Sequence, residues 1–167
     1  MLKHLEIISL INSMAQTLRK MDDIDQSLII GIHTGGALVA QQLHKSLNNS
    51  HVLGTLDISF YRDDFTQIGL HPKVKSSDLP ESIEDRHIIL VDDVLHTGRT
   101  IRAAMNELFD YGRPKSIRLV ALIDREGREL PISVDVCGMN INLARHQQIK
   151  LHYENNEFNL SVSESTA

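Results

Sequence analysis

The chain has 167 residues, of which 41% are hydrophobic and 23% charged, and its formal net charge is −5. That is enough chain for one domain with a sizeable core, in the balance of a soluble globular protein, and its acidity argues against broad nucleic-acid affinity. Cys137 is the only cysteine, so no internal disulfide framework is expected and a reducing, cytoplasmic setting fits. The opening run MLKHLEIISLI is broken by His4, Glu6 and Ser9 and has no small-residue cleavage site after it. It does not read as a signal peptide, and no stretch is long enough to span a membrane.

Leu5, Ile8, Ile11, Ala15 and Leu18 recur at helical spacing, with Ile7, Leu10, Met14 and Met21 widening the apolar face. A first amphipathic helix is expected there, packed on the core. Ser27 to Ile30 is a short apolar run ending at Gly31-Ile32-His33-Thr34-Gly35-Gly36, and a helix follows through Ala40, Leu43 and Leu47. From Thr55 to Tyr61 apolar and polar residues alternate, which predicts a half-exposed strand with Leu56, Ile58 and Phe60 on one face. The polar segment after Arg62-Asp63-Asp64, up to about Pro80, has no steady period and exceeds what a plain connection needs. It reads as either a lid or a disordered excursion over about residues 62–80.

The stretch IILVDDVLHTGRTI, Ile88 to Ile101, organises the rest. Ile88 to Val91 has the composition of a buried parallel strand; Asp92 and Asp93 follow, then a turn over Leu95, His96, Thr97 and Gly98, and Arg99 opens a helix. A strand, a small-residue turn and a helix start gather free backbone N–H groups where the helix dipole is positive, which suits a phosphate. Thr97 and Thr100 add hydroxyl donors, and Gly98 lets the backbone approach. The adjacent acids call for a partner rich in hydroxyls or carrying a metal, and a sugar phosphate meets both demands.

Further on, Ile101, Met105, Leu108 and Phe109 mark one helix face, stopped at Gly112-Arg113-Pro114. Ile117 to Ile123 reads as another buried strand leading to Asp124-Arg125, and short β-like pieces follow at Ser133–Val136, Lys150–Tyr153 and Phe158–Val162 before a polar tail from about residue 163 to 167. Strands alternating with helices predict an α/β fold: a parallel sheet covered on both faces, with ligands at the carboxyl ends of the strands. No internal repeat or linker divides it, so residues 1–167 are expected to form one domain.

The stretch from Ile88 to Ile101 resembles the signature of the type I phosphoribosyltransferases, which bind phosphoribosyl pyrophosphate. Three further pieces narrow the likeness: Asp57-Ile58-Ser59-Phe60-Tyr61-Arg62-Asp63-Asp64, the loop spelling Thr97-Gly98-Arg99-Thr100, and Asp124-Arg125 followed by Arg128-Glu129-Leu130-Pro131-Ile132. With Gly112-Arg113-Pro114 these are similar to the PyrR family, regulators of pyrimidine-operon attenuation that also carry uracil phosphoribosyltransferase activity. The similarity runs from about Ile29 to about Ile141.

The resemblance implies a central, mostly parallel sheet flanked by helices, a small β-rich hood and a mobile loop. It implies that uracil displaces pyrophosphate at the sugar C1, with Mg²⁺ held mainly by the donor, giving UMP and pyrophosphate. On that match Asp92 and Asp93 are catalytic, on the ribose side. Leu95, His96, Thr97, Gly98, Arg99 and Thr100 take the 5′-phosphate, and Thr34, Gly35 and Gly36 the pyrophosphate. Arg62 is the lid cation, Asp63 and Asp64 orient it, and Arg125 is a further substrate-binding residue. No dedicated set of protein metal ligands is implied, and a homo-oligomer, dimer or tetramer, is.

Three departures stand out. Gly35 occupies a place where attenuator members commonly carry arginine. Asn140-Ile141 are followed by Asn142-Leu143-Ala144 rather than Pro-Thr-Ser. Ser133 and Met139 replace positions that are often basic, and with a net charge of −5 this disfavours RNA as a partner. An alternative reading is therefore a catalytically weak nucleotide sensor that regulates pyrimidine biosynthesis through RNA or a protein partner. Salvage of purines or another base is a third.

Overall fold

The computed structural model describes residues 2–48, 50–58, 77–79, 82–144 and 146–164. Five strands form one parallel sheet: β1 (Ser27–Ile32), β2 (Val52–Leu56), β3 (His87–Leu95), β4 (Ser116–Arg125) and β5 (Val136–Ile141), in spatial order β2-β1-β3-β4-β5. Helices α1 (His4–Leu18) and α2 (Gly35–Ser46) supply the cover of one face, and α3 (Arg99–Asp110) that of the other. The alternation of side chains sets this division. Ile29, Ile89, Val91, Val120 and Leu122 pack with α1 and α2, whereas Leu28, Ile30, Ile88, Leu90, Leu119 and Ala121 pack with α3.

The buried face of α1 is Ile7, Ile11, Met14, Ala15 and Leu18, one stripe at helical spacing. Leu5 lies outside it and is 80% exposed, so the expected face is rotated. Likewise α3 buries Ile101, Ala103, Ala104 and Leu108, while Phe109 faces solvent. Small alanines, not the aromatic, let α3 lie close to the sheet.

Strand boundaries differ from the periodicity in three places. Of the strand expected over Thr55–Tyr61, residues 59–61 lie outside the described residues, and the described part is β2, Val52–Leu56, aligned on β1 from Leu28↔Val52 to Ile32↔Leu56. Asp57, expected on an exposed face, is buried, because the chain leaves the sheet there and its N–H bonds to Ser77 Oγ at 3.0 Å. The strand expected over Ser133–Val136 instead begins at Val136. Asp135 gives its N–H to the Leu119 carbonyl and takes the Leu119 N–H on its carboxylate, at 2.8 and 2.7 Å. Finally, β3 does not stop at Val91 but carries both acids up to Leu95.

The C-terminal pieces merge into an antiparallel hairpin, β6 (Gln147–Glu154) and β7 (Glu157–Glu164). Its two-residue turn is Asn155-Asn156, both at positive φ (51° and 63°), as a tight hairpin turn demands. The hairpin packs on the start of α1. Leu160 N–H bonds to the Leu2 carbonyl, Phe158 N–H to His4 Nδ1, and Phe158 and Leu160 are buried. Ser163 and Glu164, expected in a tail, belong to β7. Of the expected lid over 62–80, only residues 77–79 fall within the described residues; there Asp78 makes an antiparallel bridge to Thr55 at the outer edge of the sheet.

Candidate active site

Because all five strands run parallel, their carboxyl ends share one edge. Strand β1 connects outward through α2 to β2, while β3 lies on the other side of β1 and connects through α3 to β4. The strand order reverses between β1 and β3, and such switch points open a crevice at the carboxyl edge. Thr34, Gly35 and Gly36 follow β1 there and open α2, and Asp92 and Asp93 lie on β3 beside them.

The glycines are small because α2 starts against β3. A carbon added at Gly36 would lie 2.4 Å from the Val91 carbonyl oxygen and 2.9 Å from Asp92 Cα. At Gly35 it would fall 2.2 Å from Asp93 Oδ2. The Asp93 carboxylate therefore rests on the Gly35 backbone, in the space where an arginine at this position would begin. Asp92 is buried, and one of its oxygens accepts the Asp93 N–H at 2.9 Å. The peptide between His33 and Thr34 is cis.

Beyond the acids, Leu95 is buried and His96-Thr97-Gly98 form the turn into α3. Gly98 has φ 92°, a backbone that side chains avoid, and a carbon there would press on Leu130 and Ile132 at 3.3 Å. Thr97 Oγ1 accepts the Arg99 N–H at 3.3 Å just ahead of the first turn of α3, and Thr100 sits half-buried in that turn. Arg99 turns outward to Glu129, with Nε 2.7 Å from the carboxylate.

The segment after β4 wraps this turn. Arg128 donates to the His96 carbonyl and, at 2.6 Å, to Asp124 Oδ1. Glu129 and Leu130 N–H groups both reach the Thr97 carbonyl, at 3.0 and 3.1 Å. Gly127 leaves room for the His96 ring. Burial, and after it the Arg125 charge, hold the His96 imidazole below its ordinary pKa, so the neutral form is favoured.

A pocket of about 660 Å³ opens beside the turn, lined by Asp124, Arg125, Arg128, Asn140, Ile141 and Asn142 among others. The ladder explains its composition: Asp124 pairs with Asn140 and Arg125 with Ile141 at the ends of β4 and β5. Arg125 is 6% exposed, gives one N–H to the Ala144 carbonyl at 3.1 Å, and its Nε has no hydrogen-bond partner among the described residues. The pocket thus offers a carboxylate, an amide and a buried cation to a flat polar guest.

Of the residues singled out in the sequence, Thr34, Gly35, Gly36, Asp92 and Asp93 meet at the switch point. Leu95 to Thr100 form the adjoining turn, and Arg125 lines the pocket next to it. Arg62, Asp63 and Asp64 lie outside the described residues. Sequence reasoning missed Asp124, Arg128 and Glu129 as parts of the site. Their words were visible, but Arg128 and the Glu129 N–H hold backbone carbonyls, and Asp124 holds Arg128, contacts that leave no mark on a sequence. Among the described residues no three His, Cys, Asp or Glu side chains converge to hold a metal ion, and no helix is long and apolar enough to cross a membrane.

Residues 1–154 match the family model described as the phosphoribosyl transferase domain. The bifunctional protein PyrR of Nitrosococcus oceani is 62% identical over 125 residues, 74% of this chain and 71% of that protein. The bifunctional protein PyrR of Pseudomonas aeruginosa is 59% identical over 128 residues, 77% of this chain and 75% of that one. Among solved structures, the hypoxanthine phosphoribosyltransferase from Trypanosoma cruzi superposes with a TM-score of 0.65 at 26% identity, over 85% of this chain and 81% of that one.

Proposed function

The chain belongs to the PyrR family of phosphoribosyl transferase domains, and from that premise we propose that it is a uracil phosphoribosyltransferase. It takes phosphoribosyl pyrophosphate and uracil to UMP and pyrophosphate. The observation that carries the reading is the switch point: the Gly35 backbone against the Asp93 carboxylate, with the phosphate turn continuing from the same strand.

In this reading a uracil nitrogen bonds to the sugar C1 as the bond from C1 to pyrophosphate oxygen breaks, and the proton of that nitrogen passes to the departing pyrophosphate. Chemistry of this kind depends on position and charge. The turn from Leu95 to Thr100 anchors the 5′-phosphate and so fixes the sugar. Asp92 and Asp93 face the ribose, where their negative charge favours the cation-like sugar of the transition state. The backbone at Thr34, Gly35 and Gly36 takes the departing pyrophosphate. Arg125 and the pocket at the ends of β4 and β5 receive the base, and Arg62, Asp63 and Asp64 close over the donor on the strength of their sequence alone.

The carboxylate pair suits a Mg²⁺ that keeps most of its ligands on donor oxygens and water. When bound, that ion neutralises charge on the pyrophosphate.

The test is direct. Purified protein with donor, Mg²⁺ and labelled uracil is expected to form UMP, and Asp93→Asn to suppress it. Donor binding without turnover on uracil or any purine base would overturn the enzymatic reading.

A second activity, nucleotide-responsive regulation, is favoured by the word bifunctional in the relatives' names and by Gly35 standing where a leaving-group cation is common. Its partner is RNA or a protein, and the net charge of −5 weighs against RNA. A gel shift with pyrimidine-leader RNA at low salt, with and without UMP, separates the two. We take residues 1–167 as one functional unit, working in the cytoplasm as a dimer or tetramer, which sedimentation would measure.

A further inference from the structure

Three contacts hold the outer side of the phosphate turn. Arg128 donates to the His96 carbonyl, and the Glu129 and Leu130 N–H groups donate to the Thr97 carbonyl. A peptide unit is planar and trans, so its C=O and its N–H point in opposite directions. Holding the His96 carbonyl toward residue 128 turns the Thr97 N–H the other way, and holding the Thr97 carbonyl does the same for the Gly98 N–H. Both amides are thereby aimed away from the wrapping segment and toward the interior of the turn. The Thr97 carbonyl is held by backbone alone. The His96 carbonyl depends on one side chain.

That side chain has a second attachment. The other terminal nitrogen of Arg128 lies 2.6 Å from Asp124 Oδ1, and Asp124 is at the carboxyl end of β4, in the wall of the 660 Å³ pocket. The guanidinium fork spans two fixed acceptors, which a lysine, with a single ammonium on a flexible stem, cannot reproduce in the same geometry.

We propose that Arg128 is a positioning residue: anchored by Asp124, it orients the Thr97 amide toward the 5′-phosphate and ties the base-side pocket to the phosphate turn. The proposal rests on the phosphoribosyltransferase reading above and adds to it a dependence of phosphate grip on a residue that never touches the phosphate.

Calorimetry with UMP and with uridine, in the wild type and in Arg128→Gln, Arg128→Lys and Asp124→Asn, tests it. Losing a charge-directed amide contact weakens binding roughly tenfold or more. The expected result is a loss for UMP in Arg128→Gln about tenfold greater than the loss for uridine, which reads any change in the base pocket itself, and partial recovery in Arg128→Lys. Asp124→Asn should weaken UMP in the same direction. The Asp124→Asn/Arg128→Gln double variant should be no weaker than Arg128→Gln alone, since the two act as a unit.

Equal losses for UMP and uridine would mean a merely structural arginine and would overturn the proposal, as would unchanged UMP affinity. If Arg128→Gln does not fold, the lysine and Asp124→Asn variants decide by the same UMP-to-uridine comparison. A wild-type protein that binds neither UMP nor phosphoribosyl pyrophosphate would instead remove the underlying reading.

Discussion

Gly35 and Gly36 are neighbours that stay small for different reasons. At Gly36 the obstacle to a side chain is the Val91 carbonyl, a backbone atom of a central strand that cannot move. Gly36→Ala is therefore expected to cost about 1–3 kcal/mol of stability, as overpacking does, and urea denaturation would read it as a lower midpoint. At Gly35 the obstacle is the end of the Asp93 side chain, which can rotate. Gly35→Ala should leave the midpoint nearly unchanged but turn Asp93 away from its place, lowering turnover roughly tenfold to a hundredfold. His96 gives a pH prediction of definite sign. Its folded-state pKa lies below the ordinary 6.5, chiefly through burial, so the unfolded chain binds the extra proton first. Stability then falls as pH drops below about 6.5 and on through the folded value. In His96→Gln that part of the acid sensitivity should be missing, which melting temperatures between pH 7.5 and pH 5 would reveal.

Elements carry the next lesson, and α1 is the clearest case. Its sequence has apolar residues on so much of its circumference that periodicity alone leaves the direction of the face open. Packing on α2 and β5 selects Ile7, Ile11, Met14, Ala15 and Leu18 and leaves Leu5 in solvent. Ile11→Ala is thus expected to cost about 2–5 kcal/mol, while Leu5→Ala stays within about 0.5 kcal/mol; paired chemical denaturation curves would separate them. Strand cores were easier to read, since Ile88 to Val91 and Leu119 to Ile123 are continuous apolar runs that suit a doubly covered sheet. Strand ends were harder. Polar residues that belong to the carboxyl edge, such as Asp92, Asp93 and Arg125, sit in ladder positions that hydropathy assigns to loops. The same limit hid Arg128: its partners are an acid at a strand end and a carbonyl in a turn, joined only once β3 and β4 lie side by side.

At the scale of the whole molecule, the hairpin β6-β7 joins the two ends of the chain and adjoins the site. Its outer strand bonds to the chain at the start of α1, through Leu160 and Leu2 and through Phe158 and His4, and Phe158 enters the core at 4% exposure. Its inner strand starts at Gln147, Gln148 and Ile149, which share a recess of about 270 Å³ with His96 and Arg125. The hairpin thus meets the recess beside the phosphate turn with the start of β6, while Phe158 lies at its turn end. Removing the Phe158 ring should cost about 3–5 kcal/mol, whereas Tyr153, 38% exposed on the facing strand, carries less and Tyr153→Ala should cost about 1 kcal/mol. Since Phe158 lies at the opposite end of the hairpin from Gln147 and the recess holding Arg125, Phe158→Ala is expected to bind UMP with nearly wild-type affinity at low temperature. It should lose that binding at its own lowered melting point. Calorimetric titration at 10 °C beside a thermal melt would check both halves. A variant that melts early and has also lost UMP affinity in the cold would mean that the hairpin shapes the site directly.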